Sequence, residues 1–386
     1  MHTMNVFKIC QRVLNGFGAY YGKLADEVAA HGVTKVFLVC DPALARIGVA
    51  QKTVDTLTAK GFEIAVFSEV EPDPSVQTTL RAAGQARSFG AQCVIGLGGG
   101  SSLDTAKVCS VLMTNDEDPK SLFGIEKIKK AGVPLILVPT SAGPGSEVTD
   151  IAILSDLEAK LKIGIVSRYL IPQSVILDPE LTLSLPKGPT AASGLDALIH
   201  AMEAYTSIHA TPLTDNFAEQ AIRLIAPNLR SAWARGDRVD AREAMLLGSF
   251  YAGIAFCNAG VTAVHAFAYP IGAEYHIPHG VANSIMLVPV FRFNLIGNLE
   301  RFARIADFLG ENTQGLGRKQ AAEKAIQHLE ALIDDLQVSR HLKDYGVKEE
   351  DIPVLAEGAL KAGRLLANNP RTLTLDDAKS IFMDAM

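Results

Sequence analysis

The sequence predicts two domains: an α/β domain built on a parallel sheet over residues 1–185, and an all-α domain over 186–386. Three observations predict it. Strand-like and helix-like stretches alternate through the first half, the pattern of a parallel sheet wrapped by helices. A glycine-rich run from Gly96 to Lys107 falls where a strand hands over to a helix. Near Leu185-Pro-Lys-Gly-Pro189 the strand signals fade and helical periodicity takes over. The length agrees, because 386 residues exceed what one hydrophobic core usually organises.

The elements of the first half follow in order. Lys35 to Cys40 is a short apolar strand closed by Asp41-Pro42. A helical pattern runs from about Ala43 to Lys60. Phe62 to Phe67 reads as a second strand. Ser75 to Phe89 reads as a helix, with Pro74 ahead of it as a start signal. Gln92 to Leu97 is a third strand and Val133 to Val138 a fourth. Parallel sheets take ligands at the C-terminal ends of their strands, so chemistry is expected in the segments just after them.

Gly96-Leu-Gly-Gly-Gly-Ser-Ser-Leu-Asp-Thr-Ala-Lys107 is such a segment. Gly98, Gly99 and Gly100 let the backbone turn sharply and approach a phosphate closely. Ser101 and Ser102 open a helix, whose free N–H groups and dipole favour an anion. The run is neither a full G-x-G-x-x-G, since Ser101 stands at the third glycine, nor a Walker A loop. The plain alternative is a tight turn with no ligand. Asp41, ending the first strand, can accept from a ribose hydroxyl and would repel a 2′-phosphate, which favours NAD over NADP; it can equally be a helix cap before Pro42. Pro139-Thr-Ser-Ala-Gly-Pro-Gly-Ser-Glu-Val-Thr149 is a second small-residue loop after a strand, where Thr140, Ser141 and Thr149 can face a cofactor. Lys160 or Lys162, in a strand-like segment, can neutralise a phosphate, although most lysines are simply solvated.

In the second half, Thr190 to Thr206 reads as one helix carrying Asp196, His200 and Glu203. Asp196 and His200 are four residues apart, on one helix face one turn apart. Alone that spacing is commonplace on helix surfaces. His265 and His279 add weight, because both lie in apolar, Gly/Pro-punctuated sequence that gives an imidazole little other purpose. One Asp and three His suit a divalent transition metal. The sequence does not show that they converge. Helices are expected over Thr214–Arg235, Arg242–Cys257, about 258–273 and Gly280–Asn294. His276, three residues before His279, reads as substrate-facing or supporting.

Composition excludes several classes. A net charge of -6 with no basic block argues against nucleic acid. No unbroken apolar run of membrane-spanning length and no signal-peptide core are apparent. Cys10, Cys40, Cys93, Cys109 and Cys257 are unpatterned, which fits a cytoplasmic protein better than a disulfide scaffold.

Taken together these motifs resemble the iron-containing alcohol dehydrogenase family. In order they are Asp41, Gly98-Gly-Gly-Ser101, Pro139-Thr140, Gly145-Ser-Glu147, Asp178-Pro179, Gly194-Leu-Asp196 with His200 and Glu203, then His265 and Pro278-His-Gly280. The resemblance covers essentially the whole chain and includes the lactaldehyde reductase and 1,3-propanediol dehydrogenase group. It implies an N-terminal NAD-binding domain and a C-terminal helical catalytic domain. It implies that Asp196, His200, His265 and His279 ligate one metal, typically Fe²⁺, with Zn²⁺ also suited to such ligands. Gly98 to Ser101 would hold the pyrophosphate, Asp41 the ribose, and Thr140, Thr149 and Lys162 other parts of the cofactor. A homodimer or an assembly of dimers is implied as well.

Two positions depart from the pattern. Tyr269 stands where many members carry a histidine one turn after the third ligand, so the proton path or pocket differs. Pro144 replaces a threonine before Gly145-Ser-Glu147 and removes a donor. Dehydroquinate-synthase-like and maleylacetate-reductase-like enzymes are rivals on the same architecture. The first needs several cations beside the metal, and Gly260 to Tyr275 holds no Lys or Arg. The reading the residues and the resemblance favour over these alternatives is a metal-dependent NAD(H) alcohol dehydrogenase or aldehyde reductase for a small alcohol or diol.

Overall fold

The computed structural model describes residues 6–159 and 161–386. Lys160, named above beside Lys162, and the first residues of the N-terminal segment lie outside them. The chain forms two compact units, one of Met1–Ser141 and Gly145–Leu183, the other of Ala142–Pro144 and Ser184–Met386.

The first unit contains β1 (Arg12–Asn15), α1 (Ala19–Ala30), β2 (Lys35–Val39), α2 (Pro42–Arg46), α3 (Val49–Thr58), β3 (Glu63–Phe67), α4 (Val76–Phe89), β4 (Cys93–Gly98), α5 (Gly100–Leu112), β5 (Gly124–Ile125), β6 (Leu135–Pro139), β7 (Ile151–Asp156), β8 (Leu161–Val166) and β9 (Ser174–Leu177). Six strands form one sheet in the order β1-β9-β6-β4-β2-β3, and each neighbouring pair is parallel. The expected parallel sheet is therefore present. Side chains alternate across it: Phe37, Val39 and Val94 enter one apolar cluster, and Val36, Leu38 and Ile95 the other. The chain runs outward from β2 to β3, then returns to the far side of β2 for β4. That reversal opens a crevice beyond the C-terminal ends of β2 and β4, where sheets of this kind take ligands.

Three features differ from the sequence reading. The single helix expected from Ala43 to Lys60 is two, α2 and α3, broken at Gly48 with φ 84°. The short strands β1 and β9 were not anticipated; four residues each leave too little periodicity to read. The segment around Lys162 pairs antiparallel with β7, in a separate three-stranded sheet of order β5-β8-β7.

The second unit contains α6 (Lys187–Thr206), α7 (Pro212–Ala234), α8 (Val239–Ala259), α9 (Ala263–Tyr275), α10 (His279–Asn294), α11 (Leu299–Phe308), α12 (Arg318–Asp335), α13 (Ile352–Leu360), α14 (Gly363–Leu366) and α15 (Leu375–Asp384). α7 starts earlier than expected because Pro212 opens it and Thr211 and Thr214 form a capping box. α9 starts later, because α8 continues to Ala259 before a 103° bend. One correction concerns apolar length: His279–Gly297 is long and apolar enough to span a bilayer, and 67% of its most apolar window is buried inside the protein. Its apolarity is that of a core helix.

Candidate metal centre and cofactor loop

α6 is apolar on almost every side, and residues 194–206 are all buried. Its buried carboxylates and imidazole are Asp196, Glu203 and His200, spaced so that one helix face carries all three. A buried carboxylate or imidazole needs a partner, and two other helices supply them. α9 brings His265 and α10 brings His279 as its first residue. α10 can start there because Gly280 lies against the α6 backbone; a Cβ at Gly280 would come within 2.2 Å of the Ala192 carbonyl oxygen.

Ligating atoms of Asp196, His265 and His279 all lie within 4.8 Å of one another. Asp196 Oδ1 is 3.7 Å from His265 Nε2 and 3.8 Å from His279 Nε2. His200 joins through His265, their Nε2 atoms 2.9 Å apart, with its ring stacked on Phe256 at 4.3 Å. Asp196, His200 and His265 are no more than 5% exposed, whereas the His279 side chain is 44% exposed. The cluster is closed on three members and open at the fourth.

The hydrogen bonds fix what these rings offer. His200 Nδ1 lies 3.3 Å from the Gly143 carbonyl oxygen, and His265 Nδ1 is held by the Glu203 carboxylate. Both partners are acceptors, so both rings carry a proton on Nδ1 and turn Nε2 toward the other. Two imidazole lone pairs facing at 2.9 Å repel unless a proton or a cation lies between them. Burial drives His200 down to about 4, Asp196 partly offsetting it, so it stays neutral. Burial also disfavours charge on His265, but Glu203 prevails and raises it. A proton shared between the two rings would favour His265 over His200, and a metal binding there would displace it. Burial would raise the Asp196 carboxyl, but the three histidines and Asn283 outweigh it and hold it ionised. One anionic oxygen and aligned imidazole nitrogens form a donor set that fits a divalent metal.

Two supporting residues had no role in the sequence reading. Glu203 Oε1 accepts from Thr262 Oγ1 at 2.6 Å and Val264 N–H at 2.7 Å, capping the start of α9 while Oε2 orients His265. Asn283, fully buried, donates from Nδ2 to Asp196 Oδ1 at 2.7 Å, and the same nitrogen lies 3.1 Å from His279 Nε2. Its position one turn after His279 was the available signal. Tyr269 lies one turn after His265, its ring 6.3 Å from that of His279; desolvation, with Glu203 and Asp196 adding to it, raises its phenol. His276 is exposed and ends α9 at φ 54°, and no contact with the four clustered residues is seen among the described residues.

The glycine loop lies at the reversal of the first unit. Gly98 has φ 146°, and a Cβ there would meet Ser102 Oγ at 2.6 Å and Asp41 Oδ2 at 3.3 Å. Asp41 is the helix cap of one of its two sequence readings, and its second oxygen lies beside the loop. Oδ1 caps α2, accepting from Ala43 and Leu44 N–H at 2.8 and 3.1 Å, and Oδ2 faces the loop. Thr140 N–H donates to the Gly98 carbonyl at 3.0 Å. A Cβ on Gly99 would lie 3.5 Å from Ser141 Oγ. α5 begins at Gly100 with its first N–H groups turned to the loop. Ser101 Oγ accepts from Asp73 N–H at 3.3 Å, and Asp73 pairs with Lys162 at 2.8 Å, so Lys162 stands beside the same loop. Thr149 differs: it is buried, and its hydroxyl is engaged by Lys107 Nζ and the Ser146 carbonyl. Its hydroxyl fixes the loop from inside.

Comparison with known proteins gives one consistent result. Residues 10–179 match the family model for iron-containing alcohol dehydrogenase, and residues 190–386 match its C-terminal counterpart. A sulfoacetaldehyde reductase of Bilophila wadsworthia is 40% identical over 95% of both chains. A crystal structure of a 1,3-propanediol oxidoreductase superposes with a TM-score of 0.97, 40% identity and full coverage of both chains. A sulfoacetaldehyde reductase from Bifidobacterium kashiwanohense, solved in complex with NAD⁺, superposes at 0.90 with 28% identity and 99% coverage of each chain.

Proposed function

Because the chain belongs to the iron-containing alcohol dehydrogenase family, we propose that it is a metal-dependent, NAD(H)-linked alcohol dehydrogenase or aldehyde reductase for a small substrate. The observation that carries the reading is the pair of buried histidines whose Nε2 atoms face each other at 2.9 Å beside an ionised carboxylate. Asp196, His200, His265 and His279 would hold the metal. Asp41, Gly98 to Ser101, Thr140, Ser141 and Lys162 would hold NAD, and Thr149 would support that loop. When bound, the metal would supply a Lewis acid for the alcohol or carbonyl oxygen, and the nicotinamide a hydride donor or acceptor. The chain's own residues orient and exclude. Glu203 and the Gly143 carbonyl set the two imidazole tautomers, and Phe256 stacks on His200. His279, half open, marks the side from which a substrate oxygen arrives, with Tyr269 next to it.

The ligand types accept iron and zinc alike, and the family's iron supports Fe²⁺. The unpatterned cysteines support a cytoplasmic location, and the family resemblance supports a homodimer. The sulfoacetaldehyde reductase and the 1,3-propanediol oxidoreductase among the relatives support a short oxygenated substrate. The test is NADH formation with a panel of small alcohols and diols, using metal-stripped protein before and after anaerobic Fe²⁺ or Zn²⁺. Fe²⁺ should restore activity, and His265→Ala should lose both metal and turnover. Alcohol-dependent NADH formation by metal-free protein, or full activity in His265→Ala, would sink the reading.

A further inference from the structure

The segment between β3 and α4 holds a strained aspartate against the glycine turn. Asp73 has φ 53°, in the left-handed region, and stands between Pro72 and Pro74. A residue before proline is steered to extended backbone, so this conformation is unfavourable by itself and persists because its surroundings fix it. Asp73 N–H donates to Ser101 Oγ at 3.3 Å, in the first turn of α5, and its carbonyl accepts from Ser155 Oγ at 3.0 Å. Ser155 N–H also donates to the Pro74 carbonyl at 2.9 Å. Ser155 lies on β7 directly opposite Lys162 on β8. The strand pair that grips the Asp73 backbone therefore also brings Lys162 Nζ to its carboxylate, 2.8 Å from Oδ1.

This pairing sets the charge that the turn offers a ligand. Lys162 is the cation that would meet a cofactor phosphate, yet an anion is already on it. Both side chains are partly open to water, 43% and 62% exposed, so the pair itself contributes little to folding. The backbone bonds on either side keep the carboxylate at the turn all the same. Asp41 Oδ2 borders the same turn, 3.3 Å from a Cβ placed on Gly98. Two carboxylates and one ammonium leave a net negative charge there. A ribose with free hydroxyls suits it, because its 2′-OH can donate to a carboxylate. A 2′-phosphate would add roughly two more negative charges.

We propose that Asp73 is a second determinant of cofactor choice: by cancelling Lys162 beside the Asp41 carboxylate, it makes the ribose end of the turn reject a 2′-phosphate and so favours NAD(H) over NADP(H). This rests on the NAD(H)-linked reading above and names a residue that excludes the phosphorylated cofactor.

The test measures binding to the metal-loaded full chain by calorimetry, without alcohol present. The ligands are NAD⁺ and NADP⁺, then 5′-AMP and adenosine 2′,5′-bisphosphate, which isolate the ribose end. Asp73→Asn keeps the shape, and asparagine tolerates positive φ. It should strengthen NADP⁺ relative to NAD⁺ by about 10-fold at low salt, one unit charge acting through water on a doubly charged group. The gain should shrink as salt screens it. The bisphosphate should gain over 5′-AMP in the same proportion. Asp73→Asn combined with Lys162→Met restores the original net charge and should return the ratio to near that of wild type. A ratio unmoved by Asp73→Asn, or equal strengthening of both dinucleotides, would overturn the proposal. Alcohol-dependent reduction of the two cofactors separates this inference from the reading beneath it. A shifted binding ratio without any such reduction would uphold Asp73 and remove the dehydrogenase. NADH formation with the ratio unmoved would do the reverse.

Discussion

Glu147 is 2% exposed, and its Oε1 has no hydrogen-bond partner among the described residues. Burial pushes its carboxyl up from 4.5 to about 7, against the pull of its own backbone N–H and of Lys107. In the unfolded chain the group ionises near 4.5, while the folded chain keeps the proton until about pH 7. Between those values the folded state binds more protons, so stability falls as pH rises, and above pH 7 the loss is complete. The difference corresponds to about 3 kcal/mol. Glu147→Gln keeps the shape and cannot ionise. Urea unfolding of metal-free protein across this range should show the variant gaining on wild type from pH 4.5 to 7, then a constant gap. A gap that does not change with pH would show that Glu147 is not held protonated.

At the scale of elements, the centre is a junction of three helices held by two side chains that ligate nothing. Glu203 ties α6 to the start of α9, and Asn283 ties α10 back to Asp196 on α6. Asn283 leaves its Oδ1 buried without a partner among the described residues, which is unfavourable for folding and indicates that its donor serves the site. Asn283→Leu removes both groups at similar volume. Metal affinity, measured by competition with a chelator, should fall about 10–100-fold, while the thermal midpoint of metal-free protein should hold or rise. Wild-type affinity in that variant would leave Asn283 a packing residue. This contrast also explains what the sequence could disclose. Asp196 and His200 were legible because one helix turn relates them. The work of Glu203 and Asn283 was not, because it depends on which helices meet: Glu203 and Thr262 are 59 residues apart, and Asn283 and Asp196 are 87 apart. The same holds for strands. β2, β3, β4 and β6 announce themselves by apolar runs, whereas the pairing of β7 with β8 follows from their contact and not from either run alone.

For the molecule as a whole, the proposed sites fall in different units, and each ligand should stabilise its own. The proposed metal donors all come from α6, α9 and α10, and the proposed cofactor residues all come from the sheet unit. A ligand at a hundred times its dissociation constant stabilises the state it binds by about 2.7 kcal/mol. Amides that exchange only through opening of that site should then slow roughly 100-fold. Hydrogen exchange followed by mass spectrometry reads both effects in one sample. Zn²⁺ added to stripped protein should protect α6 around Asp196 and His200, the first turns of α9 and the start of α10, with little change at β4 and α5. NAD⁺ added to stripped protein should protect the turn from Gly98 to Ser101 and the start of α2 after Asp41. Metal-dependent protection confined to the glycine loop, with α6 and α9 unchanged, would mean that the buried histidines owe their arrangement to a shared proton and that the metal binds elsewhere.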